Sequence, residues 1–480
     1  MIRKSYTLFI FHILVVVRFV GYGQDTHYWS QQYGTRTALL SGAILGGVND
    51  NTIIYYNPGG LGFIENSNIS VNANAYRVEN IKIANALGEE SDFKSSNLGS
   101  IPLLAGGMIN IKDKKWKLGY GFMAPVNFSF KGIARVDGDF DIISEAESPG
   151  AEELVGESSV STELNEVSMA LGLGRMISEK LSIGITNLFT VRSHTYNRGY
   201  AAFVFLNDGS QTLIGGNFTQ NAEYYNVRYA VKIGVAYRLE RWSGGVTLTT
   251  PSINLFGVGS VASSINARNI RFDPAGDRLS GVATDRQAEL KTTFKSPLSF
   301  SAGINYNDGT SFIGLSVQYY AAIDPYDMVS VSPNTFVRPA ELAPELGSDQ
   351  FLNMRAGAKS VFNIALGYEY RIKESLSVVG SIRTDQSFFD DSLNDTSGIK
   401  TTISSWDLYH FSAGTTFTYK NSDLTLGLLF STGRKGNYEQ VGNLSNPNEN
   451  NLLQGATSIT NANYNSVGLL LGYTFNFKKI

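Results

Sequence analysis

Along most of this chain, apolar and polar residues alternate with a period of two. In residues 467–477 every odd position is apolar or aromatic, while the even ones are Gly468, Leu470, Gly472, Thr474 and Asn476. Between 227 and 238, Val227, Tyr229, Val231, Ile233, Val235 and Tyr237 share one face. Arg228, Ala230, Lys232, Gly234, Ala236 and Arg238 share the other. Tyr409, Phe411, Ala413, Thr415, Phe417 and Tyr419 likewise oppose His410, Ser412, Gly414, Thr416 and Thr418. Such alternation predicts strands whose two faces meet different surroundings. A water-soluble sandwich would carry charge on its outward face. Here one face is apolar and ends in aromatics while the other is small or polar, which predicts a wall between lipid and a polar interior.

The connections between these segments fall into two classes. Short turns are expected at 113–114, 178–179, 240–241, 307–309, 373–374 and 421–422. Between them lie long stretches read as loops, at about 80–100, 131–161, 195–221, 259–285, 325–353, 391–402 and 435–461. Six turns and seven loops join fourteen strands, an even number that returns the C-terminus to the short-turn side. The expected fold is therefore all-β: a fourteen-stranded antiparallel transmembrane β-barrel. Gly-x-x-aromatic recurs at Gly234–Tyr237, Gly303–Tyr306, Gly367–Tyr370 and Gly472–Phe475. It is read as an aromatic girdle with an inward glycine that leaves room for something inside; the alternative is the glycine usage of any curved sheet.

The N-terminal part breaks the period. Arg3 and Lys4 precede a mostly apolar run from Tyr6 to Val20, and Gly21-Tyr22-Gly23 offers small residues before Gln24. The run is too short for a membrane helix, so 1–23 is expected to be a cleaved signal peptide. Residues 24–66, with the small and apolar run Thr37 to Gly47, have no wall-like alternation; barrel wall is expected over 67–480.

Composition narrows the function classes. The 480 residues contain no cysteine, which removes disulfides and thiolate metal sites. A net charge of −3 without a basic stripe gives no footprint for nucleic acid. Mean hydropathy is only −0.09, but strands hide their apolar half from a window average. The chain has 25 tyrosines and 28 phenylalanines, which suits strands and membrane interfaces. The acidic stretch 131–161 lacks the ordered spacing of a calcium loop, and no Ser, His and Asp stand in an order typical of hydrolases. No metal, no cofactor and no enzyme activity are expected.

The stretch Asn49 to Leu61 contains Asn57-Pro58-Gly59-Gly60, a turn in which Pro fixes φ and glycine tolerates positive φ. Motif, signal and strand layout together make the chain resemble the FadL-type outer-membrane transporters of long-chain fatty acids and other hydrophobic compounds. In that family an N-terminal plug, or hatch, carrying Asn-Pro-Ala-Gly closes the barrel lumen; here Gly59 stands in place of the alanine. The resemblance covers the whole mature chain. It implies passive uptake of fatty acids or other hydrophobic compounds with lateral release into the membrane. The host would be the outer membrane of a Gram-negative bacterium, with membrane lipid and lipopolysaccharide as surroundings and a monomer as the working unit. The competing readings are a structural or adhesin barrel without transport, and a general porin.

Three prolines interrupt alternating strands: Pro125 in the third, Pro251 in the seventh and Pro297 in the eighth. Each removes a ladder donor, as a bulge or strand end would also require. Met123-Ala124-Pro125-Val126 matches the place of a third-strand defect in the FadL-type family, which implies a lateral opening at Pro125. Arg192, Arg228 and Lys232 lie on the polar face, where a cation can fix a ligand's carboxylate or else pair with lumenal acids or with the plug. Phe203 and Phe205, with Leu206, Leu213 and Ile214, form an apolar patch read as a landing site for ligand or as packing between loops.

Overall fold

The computed structural model describes residues 25–47, 51–64, 68–109, 111, 115–271, 276–393, 398–452 and 454–476. The expected signal peptide lies outside them, as does the turn at 113–114.

The protein is all-β, and every strand pairing in its main sheet is antiparallel. The first half of the wall comprises β1 (Asn68–Ile83), β2 (Phe93–Ile109), β3 (Trp116–Met123), β4 (Asn127–Phe140), β5 (Glu152–Met176), β6 (Leu181–Phe205) and β7 (Leu213–Arg238). Next come β8 (Trp242–Thr249), β9 (Ile253–Ile270), β10 (Leu279–Lys291), β11 (Ser299–Asn307) and β12 (Ser311–Tyr320). Short pieces β13 (Ile323–Val329), β14 (Val337–Arg338) and β15 (Met354–Ala358) follow. The last are β16 (Val361–Lys373), β17 (Leu376–Asp385), β18 (Asp407–Tyr419), β19 (Ser422–Glu439) and β20 (Ile459–Asn476). Pairing proceeds from neighbour to neighbour and returns to its start, because β20 pairs with β1 from Asn68↔Asn476 to Ile83↔Ala462.

Three wall strands are split in two among the described residues, and each split holds one of the three prolines. β3 and β4 both pair with β5 and are separated by Ala124–Pro125–Val126. β8 and β9 both pair with β7 and are separated around Pro251. β10 and β11 are separated by 292–298, which contains Pro297. A missing N–H weakens a ladder, and at these three positions the sequence marks the break directly.

The outward faces carry a continuous apolar band. Ile183, Ile185 and Val191 on β6, Phe411 on β18, Leu428 and Phe430 on β19, and Val467, Leu469 and Leu471 on β20 are all exposed. Water-soluble proteins do not expose contiguous apolar surface on this scale, so the band is a lipid-facing surface. Tyr237, Trp242, Tyr368, Tyr370, Tyr419 and Tyr473 line its short-turn margin, where an aromatic ring meets both apolar and polar surroundings.

Four stretches expected as loops are largely strand. β1 and β2 cover most of 80–100, β4 and β5 most of 131–161, β6 and β7 most of 195–221, and β9 and β10 most of 259–285; β19 and β20 take only the ends of 435–461. Phe203 and Phe205 therefore lie within β6, paired with Gly215 and Leu213 of β7. The reason is physical: above the lipid both faces meet polar surroundings, so alternation in polarity fades while the backbone ladder continues.

The lipid-facing reading makes a direct prediction. Leu428 is 60% exposed and lies midway along β19, paired with Leu469 and Ala413. Leu428→Arg should destabilise the folded protein in bilayers by about 2–4 kcal/mol, measured by reversible denaturant unfolding in vesicles. A change within a few tenths of a kcal/mol would mean that this face does not contact hydrocarbon.

Candidate functional site: the interior segment and the break at Pro125

Residues 25–47 and 51–64 lie against the inward faces of strands from all round the circuit, and almost every side chain in them is buried. Thr35–Leu39 forms a short α-helix, Ile53–Tyr56 a single α-helical turn and Pro58–Phe63 a 3-10 helix. Wall glycines make the contact possible. A Cβ on Gly303 would lie 2.6 Å from Leu45 Cβ, one on Gly367 2.9 Å from Leu40 Cδ2, and one on Gly472 2.6 Å from Thr35 Cγ2. Gly234 approaches Asn57 more closely still. All four glycines of the recurring Gly-x-x-aromatic pattern thus face this segment.

The Asn57-Pro58-Gly59-Gly60 motif is the tightest part of the contact. Asn57 is extended, its side chain accepts from Gly59 N–H (3.0 Å), and Pro58 occupies the first helical position, where a missing N–H costs nothing. The Asn57 amide also donates to Leu45 C=O and to Val235 C=O of β7, both at 3.0 Å. The glycines serve close approach rather than positive φ, which neither adopts. A Cβ on Gly59 would lie 2.7 Å from the backbone nitrogen of Ala236, so the alanine of the related motif has no room here.

At its other end the segment is anchored by polar contacts. The Asp25 carboxylate accepts from Ile403 N–H (2.7 Å), Ser404 N–H (3.0 Å) and the Ser404 hydroxyl. Thr26 donates to Ser404 C=O at 2.6 Å, and His27 Nε2 lies 2.9 Å from Trp406 C=O. Burial pushes the Asp25 pKa up against these bonds and the His27 pKa down to about 3. Nearer the short turns, Arg36 pairs with Glu369 of β16 and lies 4.6 Å above the Phe312 ring.

Pro125 stands in the break between β3 and β4. On its β2 side the ladder covers only Leu104–Ile109 against Leu118–Met123. Further along, side chains replace the ladder: Asn97 donates to Ser129 C=O (2.8 Å), Ser95 Oγ accepts from Lys131 N–H (3.0 Å), and Ser91 donates to Arg135 C=O (2.9 Å). β1 is irregular at the same level, with register shifts on both edges near Asn74. Pro102 of β2, which the sequence reading overlooked, also lies there. Behind the break, Leu104, Met123 and Ala124 pack with Ile53, Ile54 and Leu61 of the interior segment.

The three polar-face cations are all engaged. Arg192 and Arg228 each reach Glu166 at 2.8 Å. Arg192 also donates to Tyr224 OH (2.9 Å) and lies 3.9 Å above the Phe294 ring, while Arg228 donates to Ser296 Oγ (2.8 Å). Lys232 donates to Tyr55 C=O at 2.6 Å and sits 4.3 Å above the Tyr55 ring. Of the two readings open for these cations, pairing within the protein describes the structure. Glu166 was not singled out in the sequence, although a carboxylate among the small and polar residues of the inward face of β5 is a visible signal. Its N–H donates to Val126 C=O (2.7 Å), so the Arg–Glu–Arg cluster lies directly beside the break.

No protein-family model matches the chain, and no curated protein matches it in sequence. Solved structures do. A FadL homologue from Pseudomonas aeruginosa superposes with a TM-score of 0.58 at 10% identity, over 94% of this chain and 100% of that one. The toluene transporter TodX of P. putida gives 0.54 at 12% identity, over 94% and 99%. The monoaromatic hydrocarbon channel CymD gives 0.52 at 10% identity, over 96% and 100%.

Two predictions follow from the docking of residues 25–64. Gly234→Leu removes the space that Asn57 occupies, so it should displace the segment and raise single-channel conductance in planar bilayers several-fold; an unchanged conductance would refute this. The second concerns acid. A detached His27 takes up a proton as pH falls through about 6.5, whereas the docked one does so only near 3, so its contribution to docking is complete above pH 6.5 and declines below it. Asp25, with its raised pKa, acts in the opposite sense. Hydrogen exchange of residues 25–33 should quicken from pH 6.5 to 4 after correction for intrinsic rates, and His27→Gln should abolish that increase. Exchange that is equally pH-dependent in the variant would exclude His27 as its source.

We therefore conclude that the chain has the fold of the FadL and hydrocarbon-channel structures, with its N-terminal segment docked against the inward strand faces.

Proposed function

We propose that this protein is a Gram-negative outer-membrane transporter for hydrophobic compounds, working passively as a monomer. Its wall is read as a closed barrel of fourteen strands. The eighteen paired segments reduce to that number when the three proline-broken pairs count as single strands and the two-residue β14 is set aside. Residues 24–66 act as the plug, held by Asn57, Pro58, Gly59 and Gly60. A filled lumen argues against a general porin, and a break in the wall argues against a barrel that is purely structural.

The observation that carries the reading is the break at Pro125. Each backbone group left unpaired against hydrocarbon costs several kcal/mol, so a strand defect at membrane depth is tolerated only where protein or a cavity shields it. Here it is backed by Met123, Leu104 and Ile54, apolar side chains that a hydrophobic solute can replace at little cost. A solute leaving through this side door enters lipid without crossing water. The structural likeness to the toluene transporter TodX and the monoaromatic hydrocarbon channel CymD supports the same class of cargo.

Arg192 and Arg228 already share Glu166, and Lys232 is held by Tyr55. A fatty-acid carboxylate would have to displace Glu166, whereas an uncharged ligand would not; the arrangement favours uncharged cargo. Phe203 and the exposed Phe205 of β6 supply the apolar surface for first contact, above the lipid-facing band.

Replacing Pro125 and deleting one neighbouring residue should restore pairing with β2 and close the door. Uptake of a fluorescent hydrophobic probe by cells should then fall at least tenfold, toward the level of a strain lacking the protein, with stability held or raised. A straightened variant that inserts into the outer membrane and imports the probe at the original rate would sink the lateral route. Recovery of the protein from the soluble periplasm would sink the membrane assignment itself.

A further inference from the structure

The inner surface holds a second feature, away from the break. Where residues 30–32 pass the inward faces of β17 to β20, a cavity of about 40 Å³ remains, lined by Ser30, Arg383, His410 and Ser431 among others. Four polar atoms of these residues have no hydrogen-bond partner among the described residues: Ser30 Oγ, Arg383 Nε and Nη1, and His410 Nε2. Ser30 is 7% exposed, Arg383 6% and His410 5%. Buried polar groups are ordinarily satisfied, so three such residues around one cavity point to a missing occupant.

The unsatisfied set is rich in donors. Nε and Nη1 of a guanidinium can only donate. The His410 Nδ1 lies 2.7 Å from Ser431 Oγ, and if it accepts that hydroxyl proton, Nε2–H faces outward as a donor. The remaining Arg383 contacts are weak: Nη2 donates to Ser30 C=O at 3.4 Å, and the Trp29 ring lies 5.5 Å away.

Charge points the same way. Arg77 has Glu79 at 3.6 Å, and Arg192 and Arg228 have Glu166. Arg383, equally buried, has no ion pair within 4 Å among the described residues. Asp385 is on the same face of β17, but its Oδ1 accepts from Trp29 N–H (3.3 Å) and the Asn363 amide (3.4 Å). Its Oδ2 is 3.8 Å from His410 Nε2. Asp385 is thus the nearest counter-charge to Arg383 but makes no direct contact with it within 4 Å. A buried guanidinium whose carboxylate stands off is costly, and a small anion in the adjoining cavity lowers the cost.

We propose that this cavity binds one small monoanion, of halide or carboxylate-head size, on Arg383 with Ser30 and His410 as further donors. A water requires about 10–15 Å³ of such space, so the cavity holds one small anion with a water but no alkyl chain. The anion bridges Ser30 of the interior segment to β17 and β18, and thereby ties that segment to the wall. The site does not depend on transport, and an uptake assay does not test it.

Crystals of the full chain grown with bromide should show an anomalous peak in hydrogen-bond contact with Arg383 Nε. In mild detergent at constant ionic strength, the unfolding temperature should rise and saturate with chloride or formate and stay flat with gluconate, which is too large to enter. A response to chloride alone identifies a halide site, and an equal response to formate identifies one that also accepts a carboxylate head. Arg383→Gln, which removes the bare charge, should fold at least as well in gluconate and lose the response. No bromide peak at Arg383, or an undiminished anion response in R383Q, would overturn the proposal; the peak in the unaltered protein needs no variant.

Discussion

Every backbone N–H and C=O at the depth of the apolar band must find its partner within the protein, because hydrocarbon offers none. The ladder that runs from β1 round to β20 and back to β1 answers that requirement. Its exceptions are therefore the informative places. A proline forces each of the three breaks, and what lies behind a break decides whether it can persist. At Pro125 the shielding comes from the interior segment, so wall and interior stabilise one another: Ile54 and Leu61 cover the break, and wall glycines give that segment its seat.

The same dependence explains the polar contacts inside. A segment wedged against inward strand faces cannot satisfy its backbone with water. Asn57 closes the circle for Leu45 and Val235, Lys232 for Tyr55, and Ser381 and Ser412 donate to Leu39 C=O. The Arg192–Glu166–Arg228 cluster follows the same logic for charge. Its members lie on neighbouring strands, so that both arginines meet a carboxylate of the wall itself. Two arginines around one carboxylate leave a net positive charge beside the break, softened by the face of Phe294.

Much of this was legible in the sequence because its causes are local. A period of two marks a strand with unlike faces, and a proline within it marks a break, as at Pro125, Pro251 and Pro297. Gly234, Gly303, Gly367 and Gly472 were legible as inward because their aromatic partners three residues on face outward. Partnership was not legible. Nothing near Arg192 or Arg228 in the chain announces Glu166, which becomes their neighbour only when β5, β6 and β7 fall into register. The reason for Gly59 was hidden too, since it depends on how closely the β7 backbone passes. Strand ends were misjudged wherever polarity was used as the guide, because hydrogen bonding continues after the contrast between faces has gone.

Those overlooked strand extensions change how the molecule meets its surroundings. On β6 the last exposed apolar residue of the band is Val191, yet the strand runs on to Phe205, about 45 Å of further chain at 3.3 Å per residue. β5 and β7 accompany it for nearly the same distance, whereas β17 stops at Asp385 and β16 begins only at Val361. The rim is thus lopsided, a tall parapet over one sector and a low sill opposite. A large molecule approaching from the side of the long hairpins meets the parapet first, and only a small one reaches down to the sill.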